Sequence, residues 1–152
     1  MAFITEITVR YAETDCMGVT HHAVYPVWFE QARTDYIKHA AIRYSDMEKA
    51  GVMIPVTGIS CKYRQPSHYD DDLEITSYIT RLSPARVEFC YICRRKGSPD
   101  ILTEGTSAHA FVDSRTFKPL NFKKAMPEVY AKIEAEAAKD IAELEKKSME
   151  HI

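Results

Sequence analysis

The order of elements along the chain predicts an α+β fold in which one antiparallel sheet wraps one long helix, and three observations carry that prediction. Tyr25, Phe29, Ala32, Tyr36 and Ala40 recur at helical spacing with Trp28 beside them, so a long helix comes early. Three extended stretches then follow one another, residues 73–82, 86–96 and 101–113. They are split by Ser83-Pro84 and by Gly97-Ser98-Pro99-Asp100, the turn-separated pattern of an antiparallel meander. A second apolar stripe, Tyr130, Ile133, Ala137, Ile141 and Leu144, closes the chain.

The first element, residues 3–11, alternates, with Phe3, Ile7, Val9 and Tyr11 on one face and Glu6, Thr8 and Arg10 on the other, as a half-buried strand does. Residues 12–20 hold Glu, Thr, Asp and Gly without a period and read as a loop. The long helix begins near residues 22–25 and runs to Ala40. Pro26 suits its first turn, where a missing N–H costs nothing, and His39 sits well at the negative end of its dipole. Its aromatics fall on more than one face, as in an element covered on most sides. Residues 45–50 form a short helix stopped by Gly51, with Ser45 as cap and Glu48 three residues on. Residues 52–64 are extended but broken by Pro55 and Gly58, which suits an edge or bulged strand. The closing helix, residues 127–149, carries a single apolar stripe that packs on its own protein more readily than on a partner chain.

At 152 residues the chain has room for one domain with a real core, spanning residues 1–152, and too little for two ordinary ones. The net charge of -2 argues against a nucleic-acid partner along the surface. No run approaches the roughly 18 apolar residues of a membrane span, and Glu6 and Arg10 interrupt what a secretory signal would keep apolar. Four cysteines, Cys16, Cys61, Cys90 and Cys93, are too few for a disulfide scaffold, so the expected location is the cytoplasm.

Chemistry-bearing residues crowd into residues 11–30, where a strand meets a helix. Asp15 stands in a loop with the turn glycine Gly18, just ahead of a helix whose unpaired N–H groups and positive dipole end can stabilise an oxyanion. A carboxylate that can act as nucleophile or general base, beside such a donor, suits acyl transfer. An isolated Asp would read only as a turn residue. His21 and His22 are adjacent in a loop and match no helical or Cys-x-x-Cys ligand spacing, so no metal is expected. His22 reads equally as an auxiliary that orients water or substrate and as a surface histidine. Cys90 and Cys93, three apart on a strand, point to opposite faces and read as structural. The Tyr11 hydroxyl can reach reacting groups, although a terminal strand Tyr more commonly packs.

The run Y-A-E-T-D-C-M-G-V-T-H-H-A-V-Y-P-V-W-F-E-Q-A-R resembles the N-terminal signature of the hotdog-fold acyl-CoA thioesterases of the 4-hydroxybenzoyl-CoA thioesterase type, most of all their Tol-Pal-associated branch. The similarity continues through Y-R-Q-P-S-H-Y-D-D-D-L-E-I and D-S-R-T-F-K-P and covers approximately residues 7–119. The resemblance implies a five-stranded antiparallel sheet wrapped around a central helix, homodimers or homotetramers with active sites at the dimer interface, and hydrolysis of a thioester of coenzyme A or acyl carrier protein. It implies no cofactor beyond the coenzyme A of the substrate. Asp15 matches the family's catalytic carboxylate, His22 the residue whose N–H polarises the thioester carbonyl, and Tyr11 an active-site Tyr of the same branch. The long C-terminal stripe and His21, where the branch often has Tyr, depart from the pattern.

The expected site therefore has Asp15, His22 and Tyr11 as catalytic residues and Gly18 shaping the loop. Tyr25, Trp28 and Phe29 are expected as walls for the acyl group, and Arg86, Arg115 and Lys118 as contacts for coenzyme A phosphates. Two other readings stay open on the same fold: a hydratase or dehydratase using His22 with Asp15, and a non-catalytic acyl-CoA-binding protein.

Overall fold

The protein is described by a computed structural model covering residues 2–40 and 42–150. The ends of the expected domain, residues 1 and 152, lie outside the described residues. In chain order the elements are β1 (Phe3–Thr8), a 3-10 turn (Tyr11–Glu13), α1 (Val24–His39), α2 (Tyr44–Lys49), β2 (Val52–Met53), β3 (Val56–Tyr63), β4 (Asp72–Leu82), β5 (Arg86–Arg95), β6 (Ile101–Ala110), β7 (Val112–Asp113), α3 (Phe122–Ala125) and α4 (Pro127–Glu150).

The α1 stripe buries Tyr25, Trp28, Phe29, Ala32, Tyr36 and Ile37, the i, i+3, i+4, i+7 pattern of one face. Its other side, with Val27, Glu30, Gln31 and Lys38, is exposed, so in this chain the aromatics occupy one face and not several. That face lies on a five-stranded antiparallel sheet of order β1-β4-β5-β6-β3. Period-two alternation aims Leu73, Ile75 and Ile79 of β4 and Val87, Phe89, Tyr91 and Cys93 of β5 at the helix. Phe29 stacks flat on Tyr91, ring centroids 4.6 Å apart. This is the hotdog architecture that the resemblance implied.

β3 forms one edge of the sheet and shifts register between Val56 and Gly58, as Pro55 and Gly58 foretold for a bulged edge strand. The stretches expected as single strands over residues 52–64 and 101–113 divide into β2 and β3 and into β6 and β7, and β2 pairs with β7 in a separate two-stranded sheet. Other expectations shift as well. β1 stops at Thr8, and Tyr11 enters the 3-10 turn instead of continuing a strand. α2 starts at Tyr44 with Arg43 as its N-cap and no side-chain cap, because the Asp46 and Met47 N–H groups close on the Arg43 carbonyl; Ser45 therefore falls inside the first turn. α4 packs against β4 within the chain, as its stripe required, yet its buried set is Tyr130, Ile133, Ala137 and Asp140, with Ile141 and Leu144 only half-buried.

Asp140 explains that last shift. β1 reaches only to Ser77 of β4, and α4 covers the strand beyond it. Asp140 Oδ2 accepts the Ile79 N–H at 2.9 Å and the Tyr36 hydroxyl, tying α4 to β4 and α1. Burial, then the hydrogen bond to Asp140, pushes the Tyr36 phenol far above its ordinary value. No helix among the described residues is long and apolar enough to cross a membrane.

Candidate active site

The junction between β1 and α1 is built around Glu13. Its carboxylate is buried and accepts the Arg10 N–H at 2.8 Å on Oε1 and the Trp28 indole N–H at 2.8 Å on Oε2, while its carbonyl accepts the His21 N–H at 2.8 Å. Burial pushes the Glu13 carboxyl up, but these hydrogen bonds and the Arg10 charge outweigh it and hold the group below its ordinary value. One residue, through its side chain and its carbonyl, thus ties down both ends of the segment that contains Asp15.

Between those ends the chain makes a tight loop, closed by a bridge between Thr14 and Thr20. The Asp15 N–H donates to Val19 O, the Gly18 N–H to Asp15 O, and the Met17 N–H to Asp15 Oδ1 at 2.8 Å. Gly18 has φ 77, the left-handed conformation that suits glycine, with open space where a Cβ would stand. Its part is to turn the chain. Asp15 is left half-exposed, and among the described residues its Oδ2 has no protein partner.

Thr20 docks this loop onto Ser67. The Thr20 N–H donates to Ser67 O at 2.8 Å, and the two hydroxyls lie 2.6 Å apart. Ser67 is fully buried, and its Oγ also meets the Tyr25 hydroxyl at 2.9 Å. At the start of α1 the Val24 N–H closes on His21 O at 3.0 Å and the Ala23 N–H on His21 Nδ1 at 3.0 Å. Among the described residues the His22 N–H has no protein acceptor, which leaves an open donor one residue before the helix cap.

The loop, the helix start and the segment after β3 enclose a cleft of about 300 Å³, lined by Asp15, Met17, Val19, Thr20, His22, Tyr25 and residues 63–66. Of the expected site residues, Asp15, His22 and Tyr25 meet there. Trp28 and Phe29 do not: Trp28 is tied to Glu13 and Phe29 to Tyr91, both in the core. Tyr11 is 78 % exposed and sits edge-on against Tyr69, outside the cleft lining. Arg86 begins β5 opposite Ala110, and Arg115 and Lys118 lie in the turn after β7, where Asp113 caps the Arg115 and Thr116 N–H groups. β5 is ten residues long, about 30 Å of strand, and its other end lies nearer the cleft, so the three cations sit at the far end of the sheet within one chain.

The half of the cleft formed by Tyr63, Arg64, Gln65 and Pro66 holds none of the expected site residues. Arg64 is a cation of this lining, held to Glu104 at 2.8 Å. These residues carry no local chemical signal; what marks them is the quoted motif Y-R-Q-P-S-H-Y-D-D-D, which begins at Tyr63. Cys93 is fully buried, and burial pushes its thiol up to about 12; Cys90, on the opposite face of β5, is pushed up to about 11. Among the described residues no group of three or more His, Cys, Asp or Glu is placed to hold a metal ion.

Comparison with known proteins places this geometry among relatives. The family described as the thioesterase-like superfamily matches residues 9–133. YneP of Bacillus subtilis (strain 168) is 41% identical over 123 residues, 81% of this chain and 88% of that protein. The acyl-CoA thioester hydrolase YbgC of Escherichia coli O157:H7 is 31% identical over 83 residues, 55% of this chain and 62% of that protein. Among solved structures, a DHNA-CoA thioesterase from Staphylococcus aureus superimposes with a TM-score of 0.81 at 35% identity, covering 88% of this chain and 91% of that one.

Proposed function

The chain belongs to the thioesterase-like superfamily as a hotdog-fold hydrolase, and from that premise we propose that it cleaves acyl-CoA thioesters, or those of acyl carrier protein, in the cleft between the Asp15 loop and the start of α1. The observation that carries the reading is the meeting, in one cleft, of a carboxylate with an open oxygen and a backbone N–H with no protein acceptor among the described residues. The thioester carbonyl oxygen would accept from the His22 N–H, backed by the positive end of the α1 dipole. Negative charge gathers on that oxygen in the transition state, which is where such donors act.

Asp15 supplies the other half. Either its Oδ2 attacks the carbonyl carbon, expelling the thiolate and leaving a mixed anhydride that water opens, or it takes a proton from a water that attacks instead. Each route consumes one water and yields one carboxylate and one thiol. Tyr25 is the aromatic wall that the cleft offers to the acyl group; Tyr11 has no part in the scheme drawn for a single chain.

A homodimer, alone or paired into a tetramer, belongs to the same proposal. The β3 edge is exposed along with Val56, Ile59 and Tyr63, and an unpaired edge is a template for another strand. Two-fold antiparallel pairing there would bring the Arg86, Arg115 and Lys118 end of one sheet to the end of the other that carries the cleft. That is how those cations would meet coenzyme A phosphates.

The test is thiol release across short, long and aromatic acyl-CoAs and an acyl carrier protein thioester, with Asp15→Asn alongside. The variant is expected to lose at least about 100-fold in kcat. Unchanged turnover in Asp15→Asn would refute the mechanism, and no turnover of any thioester by the wild type would refute the activity.

A further inference from the structure

Two hydrogen bonds in the cleft end on one peptide group, the one linking His22 and Ala23. Its carbonyl oxygen accepts from the Tyr63 hydroxyl at 2.8 Å, reached across from the edge strand 41 residues away. Its N–H donates to His21 Nδ1 at 3.0 Å. The preceding peptide, between His21 and His22, is held at its oxygen by the Val24 N–H at 3.0 Å, and its own N–H is the open donor of the site. A peptide in a loop can rotate about its flanking bonds and present carbonyl oxygen where a donor is needed. Here the peptides on both sides of the His22 Cα are pinned.

We propose that Tyr63 and His21 are positioning residues of the carbonyl-binding donor: by clamping the 22–23 peptide from both sides they hold the His22 N–H in the orientation that receives the thioester oxygen. The proposal rests on the thioesterase reading above. It gives His21 a role through its ring nitrogen, since Nδ1 must be unprotonated to accept, which places the neutral ring's proton on Nε2. It also separates His22 into two parts, a main chain that works and a side chain that only stacks on the His21 ring at 4.2 Å. The Tyr63 ring itself packs edge-on to Tyr25 at 5.6 Å, so Tyr63→Phe removes the hydroxyl and leaves the packing. Asn at residue 21 would carry its amide oxygen close to where Nδ1 stands, whereas Ala offers no acceptor.

The experiment measures kcat and KM on the best acyl-CoA for the wild type, Tyr63→Phe, His21→Ala and His21→Asn. It adds affinities for two inert analogues, a ketone with a methylene in place of the sulfur and a thioether lacking the carbonyl. Expected are losses of about tenfold in kcat for Tyr63→Phe and His21→Ala, weaker binding of the ketone by the same factor as any rise in KM, and an unchanged affinity for the thioether. His21→Asn should recover most of the loss. The proposal is overturned if Tyr63→Phe keeps wild-type kcat, if both analogues weaken alike, or if His21→Asn is as impaired as His21→Ala. Should His21→Ala fail to fold, the hydroxyl deletion at Tyr63 decides alone. A wild type that releases no thiol removes the thioesterase reading and this one with it; an active wild type, a dead Asp15→Asn and an unaffected Tyr63→Phe remove this one only.

Discussion

Replacing Gly105 by Ala should destabilise the protein, although Ala is ordinarily the better strand residue. Gly105 lies in β6 beneath α1, where an added Cβ would stand 2.3 Å from Phe29 Cε2 and 3.0 Å from Cδ2 and Cζ. Carbon atoms normally rest about 3.5–4.0 Å apart, so the ring would have to retreat by more than about 1 Å. It has little room to do so. One of its faces is stacked on Tyr91, tilted by 7°, and the Tyr91 hydroxyl is held by Ser107 at 2.6 Å and Arg33 at 3.1 Å. Overpacking of this kind costs about 1–3 kcal/mol, and a clash this short belongs at the upper end. Removing a glycine from a strand returns about 0.5–1 kcal/mol, for a net loss of about 2 kcal/mol. At about 2–4 °C per kcal/mol for a domain of this size, the thermal midpoint should fall by about 4–8 °C. Circular-dichroism melts of Gly105→Ala, Phe29→Leu and the double variant measure this. Phe29→Leu should relieve the clash, so that the double variant loses less than the two singles added together. A midpoint that is unchanged or raised in Gly105→Ala would refute the packing argument.

Asp140→Ala should cost about 3 kcal/mol in urea unfolding, because the Ile79 N–H and the Tyr36 hydroxyl both lose a buried charged acceptor. Asp140→Asn should cost less, since an amide oxygen still accepts; equal losses in the two would contradict the assignment. His109 gives a pH dependence. Burial first, and then the Arg33 charge, lower its pKa from 6.5 to about 4. The unfolded chain therefore binds a proton that the folded chain refuses between those values, and stability should fall as pH drops through that window, by about 2–3 kcal/mol in all. His109→Gln should flatten that part of the curve, and a wild-type slope that survives in the variant would point to another group.

The long helix and the three-strand meander were legible because burial on one side imposes a period of 3.6 or 2, and the residues keep it. The Asp15 loop was legible because its acid, its glycine and the helix start are neighbours in sequence. Tyr63 and Ser67 were not, since they hold the helix start and the loop from 41 and 47 residues away, and nothing local distinguishes a strand Tyr or a loop Ser with that duty. Trp28 and Phe29 show the opposite difficulty. An aromatic at helical spacing fits a pocket wall and a core equally well, and only the partners, Glu13 for one and Tyr91 for the other, choose between them. Asp140 was passed over because a hydropathy stripe has no place for a carboxylate, while the sheet beyond the end of β1 had an N–H that required one.

Glu13 shows how the Asp15 loop can be polar and still be held in shape. A loop that presents a half-exposed carboxylate gains little from burial, so its shape must come from hydrogen bonds, and exposed ones are weak against water. Here the strongest of them are taken out of water. The Glu13 side chain is buried against Trp28, which is itself packed in the core, and the same residue's carbonyl holds His21. Thr20 repeats the device with the fully buried Ser67. Asp15 therefore hangs between two anchors, residues 13 and 20, that belong to the core's hydrogen-bond network, with Gly18 turning the chain between them. The indole at residue 28 thus helps to hold the Asp15 loop in place without touching the cleft.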